Sequence, residues 1–259
     1  MNIYIMVAAH KQCELPKDKI YLPLQVGKAL HPELTLESCQ PDNEGDNISV
    51  KNLYYSELTA IYWGWKNLKA DYVGLVHYRR YLSIREVDDV LVSVLDRQET
   101  ESLCAKYDII LPQKRRYYIE TIWSHYKHTH DISHLEKTRE LIKKQSPEYA
   151  CAFDKVMGRT WAHMFNMFIM KKEIMDKYCS WMFPILFELE KQVDVKNLSA
   201  FDKRLFGRVS EFLLDVWIEK NKLPYHEVRM IQIGKENWPV KIKSFLMAKF
   251  LGRKYTQSR

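Results

Sequence analysis

Apolar residues along the chain follow two rhythms. Short, nearly continuous runs alternate with longer stretches in which apolar positions recur every three or four residues. The runs at 3–9 (IYIMVAA), 72–76 (YVGLV) and 107–111 (YDIIL) have strand length and are rich in β-branched and aromatic residues, so they predict buried strands. Residues 164–170 (MFNMFIM) and 227–233 are two further strand candidates, and 21–26 is an apolar segment broken by Pro23. Helical spacing predicts a helix over 49–69, where Leu53, Leu58, Ile61, Tyr62, Trp65 and Leu68 recur. The same reasoning predicts helices over 134–145, from Pro147 to about 156, over 171–190, over 201–220 and over 239–252. The turn-forming stretch QPDNEGDNIS at 40–49 predicts a loop.

Strands separated by helices predict an α/β fold with a mixed central sheet flanked by helices. In such sheets ligands collect where parallel strands end. Three polar segments stand just past predicted strand ends: Ala9-His10-Lys11, His77-Tyr78-Arg79-Arg80 and Gln113 to Arg116. The second is the sharpest, because a buried strand runs straight into one histidine and two arginines. Arginine stays charged and presents a fork of donors to phosphate, so this pattern fits a diphosphate. It equally fits surface arginines that close a strand or pair with a neighbouring helix.

Carboxylates are the other candidates. Glu211 lies in FGRVSEFLLDVW, where Gly207 and Ser210 resemble a helix start and Glu211 its first turn. A sugar transfer with inversion needs such a carboxylate to take the acceptor proton; a plain helix-terminal charge accounts for it as well. Asp202 and Glu57 are the further acidic candidates, Glu57 with the alternative of facing water. Asp46 and Asn47 sit in a polar loop before a helix, as donor contacts or as turn formers and a cap. His125, His128 and His130 cluster in HYKHTH, with His134 after them, and could bind zinc only with well-placed acidic or cysteine partners to close the shell, so a solvated histidine-rich loop is expected rather than a metal centre. Asp88-Asp89 is expected on a solvent-facing helix. No phosphate-binding glycine loop, zinc-protease helix or dinucleotide fingerprint occurs.

Composition narrows the classes. At 46% hydrophobic residues the 259-residue chain can bury a large core, which excludes disorder. Aromatics reach 13%, suiting either sugar stacking or an aromatic core. Five scattered cysteines form no CxxC pair, so a reducing, cytoplasmic setting is expected, and the N-terminal apolar run reads as a strand rather than a secretion signal. The net charge of +7 is concentrated at the end: from Lys235 onward seven basic residues face Glu236 alone. This divides the chain into a body over 1–235 and a basic amphipathic tail over 236–259. On the tail Trp238, Ile242, Phe245, Leu246, Lys249 and Phe250 approximate one face, as in a helix lying on an anionic membrane surface, or in a docked terminal helix with solvated lysines. Charge confined to a tail argues against nucleic-acid binding. A non-catalytic sugar- or lipid-binding protein, and a glycoside hydrolase with two opposed carboxylates, are the remaining classes.

Several segments, in one order, resemble the domain-of-unknown-function family 4422 of bacterial capsular and O-antigen polysaccharide clusters. They are AAHK (8–11), YLPLQVG (21–27), GDNISVKNLYYSELTAIYWGWKN (45–67), YVGLVHYRRYL (72–82), YDIILP (107–112), FNMFIMKKEIMDKYCSWMFPILFELE (165–190) and FGRVSEFLLDVW (206–217). The resemblance implies a GT-A-like nucleotide-binding domain and a glycosyltransferase peripheral on the inner face of the cell membrane. It implies a UDP-sugar donor, with galactose in furanose or pyranose form, and a lipid-linked (undecaprenyl-diphosphate) oligosaccharide acceptor. It strengthens the phosphate reading of His77, Arg79 and Arg80, and with the carboxylates above leaves Glu211 and Asp202 as the catalytic candidates. Donor binding falls to His10, Lys11, Asp46, Asn47, Glu57, His77, Tyr78, Arg79 and Arg80. Many GT-A enzymes place an Asp-x-Asp with Mn²⁺ or Mg²⁺ where this chain has His-Tyr-Arg, so the expectation is a transfer without a metal cofactor, in which Arg79 and Arg80 offset the diphosphate charge.

Overall fold

The computed structural model describes residues 1–85, 90–199 and 202–234. The predicted tail helix and Asp88-Asp89 therefore lie outside the described residues. The first half of the chain runs β1 (Ile3–Ala9), β2 (Tyr21–Gln25), β3 (Gln40–Pro41), α1 (Asn52–Tyr55), α2 (Leu58–Asn67), β4 (Tyr72–His77), β5 (Arg80–Ser83), α3 (Val90–Ser93) and α4 (Arg97–Cys104). The second half runs β6 (Ile109–Pro112), β7 (Arg115–Arg116), α5 (Ile122–Thr129), α6 (Ser133–Gln145), α7 (Ala150–Met157), β8 (Trp161–Ala162), β9 (Phe168–Lys171), α8 (Lys172–Gln192), α9 (Leu205–Asn221) and β10 (His226–Gln232).

Eight of the strands form one mixed sheet in the order β3-β2-β1-β4-β5-β10-β6-β9, with β9 also pairing β4. β2, β1 and β4 are parallel neighbours, and their registers set Ala9 beside Gln25 and Ala8 beside His77. The C-terminal ends of three strands thus share one edge, where an α/β sheet collects its ligands. Both faces are covered, as near-continuous apolar strands require. Met6, Ala8, Val73, Leu75, Phe168 and Met170 point into the core under α2, α8 and α9. Their alternate neighbours Ile5, Val7, Val76 and Ile169 point into a smaller core with Tyr81, Leu95 and Cys104. The period-two alternation of a strand divides one apolar run between two layers.

Four departures from the predicted elements bear on function. The helix expected over 49–69 breaks at Ser56, which has φ 51° and ψ −129°, so α1 and α2 meet at a sharp corner. The strand expected at 164–170 begins only at Phe168, because Phe165 (φ 71°) and Asn166 (φ 54°) form a left-handed turn. His77-Tyr78-Arg79-Arg80 is a hairpin, with His77 paired across to Arg80, rather than an open loop. The HYKHTH stretch is the helix α5, not a solvated loop: His125 and His128 both reach the buried Glu120, at 2.9 and 2.6 Å. Apolar periodicity does not register a one-residue backbone inversion, and it undercounts helices whose polar residues are engaged inward.

Candidate active site

The corner at Ser56 aims Glu57 inward, so that the residue is only 6% exposed although it carries a carboxylate. A buried carboxylate needs donors, and two elements supply them. The Asn166 amide donates to Glu57 Oε1 at 2.7 Å and to the Gly207 carbonyl at 3.0 Å. Asn166 Oδ1 in turn accepts from the Ser210 hydroxyl at 3.0 Å. On its other side Glu57 Oε2 lies 3.7 Å from Arg204 Nη2, and Arg204 Nε donates to Ser56 Oγ at 3.1 Å. The corner and α9 meet at close quarters at Gly207, where a Cβ would stand in contact with Ser56 Cβ at 3.4 Å. Three non-glycine residues with positive φ, Ser56, Phe165 and Asn166, therefore surround one carboxylate. Left-handed backbone costs about 1 kcal/mol or more per such residue and persists where its surroundings enforce it.

His77 enters from the end of β4. Its Nε2–H donates to the Phe165 carbonyl at 2.7 Å. Burial lowers its pKa; Glu57 and that carbonyl oppose the shift, and Arg80 and Arg204 add to it. His10, at the end of β1, packs edge-on against Tyr78 with ring centres 5.1 Å apart, and Lys11 Nζ stands 5.5 Å from the same ring. Burial also lowers the pKa of His10, with Lys11 and Arg204 adding to the effect. Both histidines are thus held toward the neutral form beside fixed positive charge.

Glu211, half-buried on α9, completes the group. Burial together with the neighbouring Glu57 charge pushes its pKa up to about 8, against the pull of Arg204, Arg208 and Arg115. The residue lies beyond the first turn of α9, which begins at Leu205, and Gly207 and Ser210 are inside that helix. Its environment, not a helix end, sets its chemistry. Two carboxylates that influence each other, one hydrogen-bonded and one proton-bearing near neutrality, form the arrangement expected of an acid–base site.

The structure brings together His10, Lys11, Glu57, His77, Tyr78 and Glu211 among the residues singled out from sequence. It sets others apart. Asp202 accepts from Ser199 Oγ at 2.6 Å and stands 4.0 Å from His130 Nδ1 and from Arg208 Nη1. Arg79 is exposed at the hairpin tip; Arg80, by contrast, stays beside His77, bonding Gln232 at 3.2 Å and stacking on Phe165 at 4.3 Å. Asp46 and Asn47 close their own loop: Asp46 accepts from Tyr62 at 3.2 Å, and the Asn47 amide donates to Asn43 and Gly45. In that region the buried carboxylate is Asp42, which accepts from the Gly27 and Lys28 amides and from Ser49. Sequence reasoning missed Asn166, Ser210, Arg204 and Arg208; the only signal was Asn166 interrupting an apolar run. Among the described residues no group of three His, Cys, Asp or Glu side chains is placed to hold a metal ion.

The family described as domain of unknown function DUF4422 matches residues 4–222. The chain belongs to this family. The matched range includes Glu57, Asn166 and Glu211. The apo structure of the bifunctional glycosyltransferase WbbM is similar, with a TM-score of 0.83 and 30% identity over 91% of this chain. The chain spans 46% of the length of that protein. No curated protein matches the chain.

Proposed function

We propose that this chain is a glycosyltransferase that moves a hexose, galactose in furanose or pyranose form, from a UDP-sugar to a lipid-linked oligosaccharide of surface-polysaccharide synthesis. The single observation that carries the reading is the Glu57–Glu211 pair at the shared C-terminal edge of β1, β2 and β4, ringed by His10, Lys11, His77 and Arg204. The similarity to a glycosyltransferase over nearly the whole chain supports it, and the parallel β2-β1-β4 core supports a GT-A-like domain. The donor lies across this edge. Glu211, once ionised, takes the proton of the acceptor hydroxyl as that oxygen bonds to the sugar C1. The bond from C1 to the diphosphate breaks, and UDP leaves with the bonding pair. Fixed cations at the edge offset the diphosphate charge, the role a divalent ion plays elsewhere. The chain works at an anionic membrane surface, where its acceptor resides; among the described residues no helix is long and apolar enough to cross a membrane.

Donor binding tests the reading. Thermal shift is measured with UDP, UDP-galactose, UDP-galactofuranose, UDP-glucose and a GDP-sugar, with and without EDTA. A UDP-selective shift that survives EDTA and is lost in His77→Ala is expected. If activity vanishes in EDTA and returns with Mn²⁺, the metal-free mechanism is wrong. No shift with any nucleotide overturns the transferase reading.

A further inference from the structure

The loop between β7 and α5 carries its apolar side chains outward. Tyr118 and Ile119 are 82% and 66% exposed, and they are adjacent, whereas the residues on either side, Tyr117 and Glu120, are buried. This exposure is built rather than incidental. The Ile119 amide donates to the Tyr117 carbonyl at 2.7 Å, closing a γ-turn on Tyr118 at φ 59°, a rare and strained form for a residue with a side chain. The base is fixed on both sides: Tyr117 N bonds Thr160 O at 2.7 Å, and Ile122 N bonds Arg159 O at 2.8 Å. Glu120 is clamped by His125 and His128, whose hydrogen bonds hold its carboxyl below its usual pKa against the effect of burial. The fold thus holds an aromatic and an aliphatic residue out in solvent.

Along the chain from 114 to 130 the exposed charge is all basic. From 114 to 130 the charged residues are Lys114, Arg115, Arg116 and Lys127 against the buried Glu120. Lys114 is engaged by Glu227 at 3.0 Å, and Arg115, Arg116 and Lys127 are exposed. The base of the tip lies within electrostatic reach of Glu211, since the Arg115 charge acts on Glu211 and that of Glu211 on Tyr117. A tyrosine with its hydroxyl in the headgroup region, an isoleucine below it and arginines reaching up to phosphates is the composition of an interfacial anchor.

We infer that the Tyr118-Ile119 tip inserts into an anionic phospholipid surface, with Arg115, Arg116 and Lys127 on the headgroups, and so holds the mouth of the catalytic cleft against the bilayer. This rests on the transferase reading only for the purpose of the contact; the contact itself is independent of the basic tail.

The test uses the full chain with vesicles of phosphatidylcholine, with and without roughly 30% phosphatidylglycerol. Co-sedimentation of the wild type is compared with Tyr118→Ser/Ile119→Ser and with Arg116→Glu, and UDP binding is measured in parallel. The double variant is expected to lose partitioning about tenfold or more, the worth of one large apolar side chain, with UDP binding unchanged. Arg116→Glu is expected to weaken binding to the anionic vesicles alone. Hydrogen exchange of the wild type, followed by mass spectrometry, reads the same contact without mutation, as vesicle-induced protection over 115–121. Unchanged partitioning of a folded double variant overturns the inference, as does the absence of protection. So does a variant that partitions normally but fails to glycosylate a soluble oligosaccharide, which would make the tip a glycan platform. Loss of UDP binding in the wild type would overturn the transferase reading and leave the membrane contact standing.

Discussion

Replacing Glu211 by Gln should stabilise the protein in alkaline solution and abolish its activity. The carboxyl's pKa is pushed from 4.5 up to about 8 by burial and by Glu57. A raised carboxyl favours the folded state fully below the unfolded value, and that contribution disappears as pH climbs through the folded value. Between pH 4.5 and about 8 the unfolded chain has released this proton while the folded chain still holds it, so the native state loses stability steadily over that window. At 1.36 kcal/mol per pH unit the interval from 4.5 to about 8 amounts to about 5 kcal/mol. Because the side chain is only half-buried, solvent screening reduces this to a few kcal/mol. Glutamine keeps the shape and carries no proton to lose. Urea unfolding of wild type and Glu211→Gln at pH 5 and pH 8 isolates the effect, since other titrating groups largely cancel in the difference. The variant should gain about 2–4 kcal/mol relative to wild type on going from pH 5 to pH 8. At the same time transfer should fall by about 10²–10⁴-fold, the worth of a general base. An equal stability difference at the two pH values would refute the buried, proton-bearing Glu211. Full activity in the variant would refute its role as base.

Other expectations follow from the same geometry. Glu57→Gln removes the like charge that helps raise Glu211, so the rising limb of the pH–rate profile should move to lower pH; a limb that stays in place would uncouple the two residues. Asn166→Ala removes the hydrogen bond to buried Glu57 Oε1 and the amide's links to Ser210 and the Gly207 carbonyl, which still bond each other at 2.7 Å, and should cost about 1–3 kcal/mol in urea unfolding. Asn166→Gly loses the same bonds but relieves the left-handed backbone, so it should be less damaging by about 1 kcal/mol. Away from the site, buried Asp215 accepts from His163 Nδ1 at 2.6 Å and from its backbone amide at 2.9 Å, while Glu227 faces the other ring nitrogen at 3.2 Å. Asp215→Ala should therefore cost about 3–5 kcal/mol, read by chemical denaturation, without changing UDP affinity.

The apolar pattern was enough to place the sheet, because β1, β4, β6 and β9 are buried on both faces and read as unbroken apolar runs. The polar residues after β1 and β4 were legible for the same reason: once the strand ends are known, His10, Lys11 and His77 must stand at them. Glu57 and Glu211 were visible as carboxylates, but their pairing was not. Glu57 lies on a stretch whose periodicity runs through the Ser56 inversion without a gap, so sequence presents one helix where the chain turns a corner. Asn166 sits inside an apolar run, where period-two reading assigns it to a strand and gives no sign of the left-handed turn. Arg204 and Arg208 belong to no strand end at all; they reach the site because the start of α9 packs against that corner, Arg204 bonding Ser56 and lying 3.7 Å from Glu57.

The division between what was legible and what was not has a consequence for the chemistry. Strand ends are fixed by the sheet and supply the cations and histidines, whereas the carboxylates arrive from the corner at Ser56 and from α9, two elements joined through Asn166. The acid–base pair is therefore assembled by a tertiary contact between segments 109 and 41 residues apart from Asn166. Loosening that contact should free Glu57 and lower Glu211's hold on its proton before it disturbs the donor edge. A graded series at Gly207 tests this order. Gly207→Ala meets only ordinary contact distances, the nearest being Ser56 Cβ at 3.4 Å, and should be tolerated, while Gly207→Val must displace the corner. In Gly207→Val the pH–rate limb should shift to lower pH while UDP affinity stays near wild type. Loss of UDP affinity with an unmoved limb would mean that the corner positions the donor, and that Glu57 belongs with the donor contacts rather than with the acid–base pair.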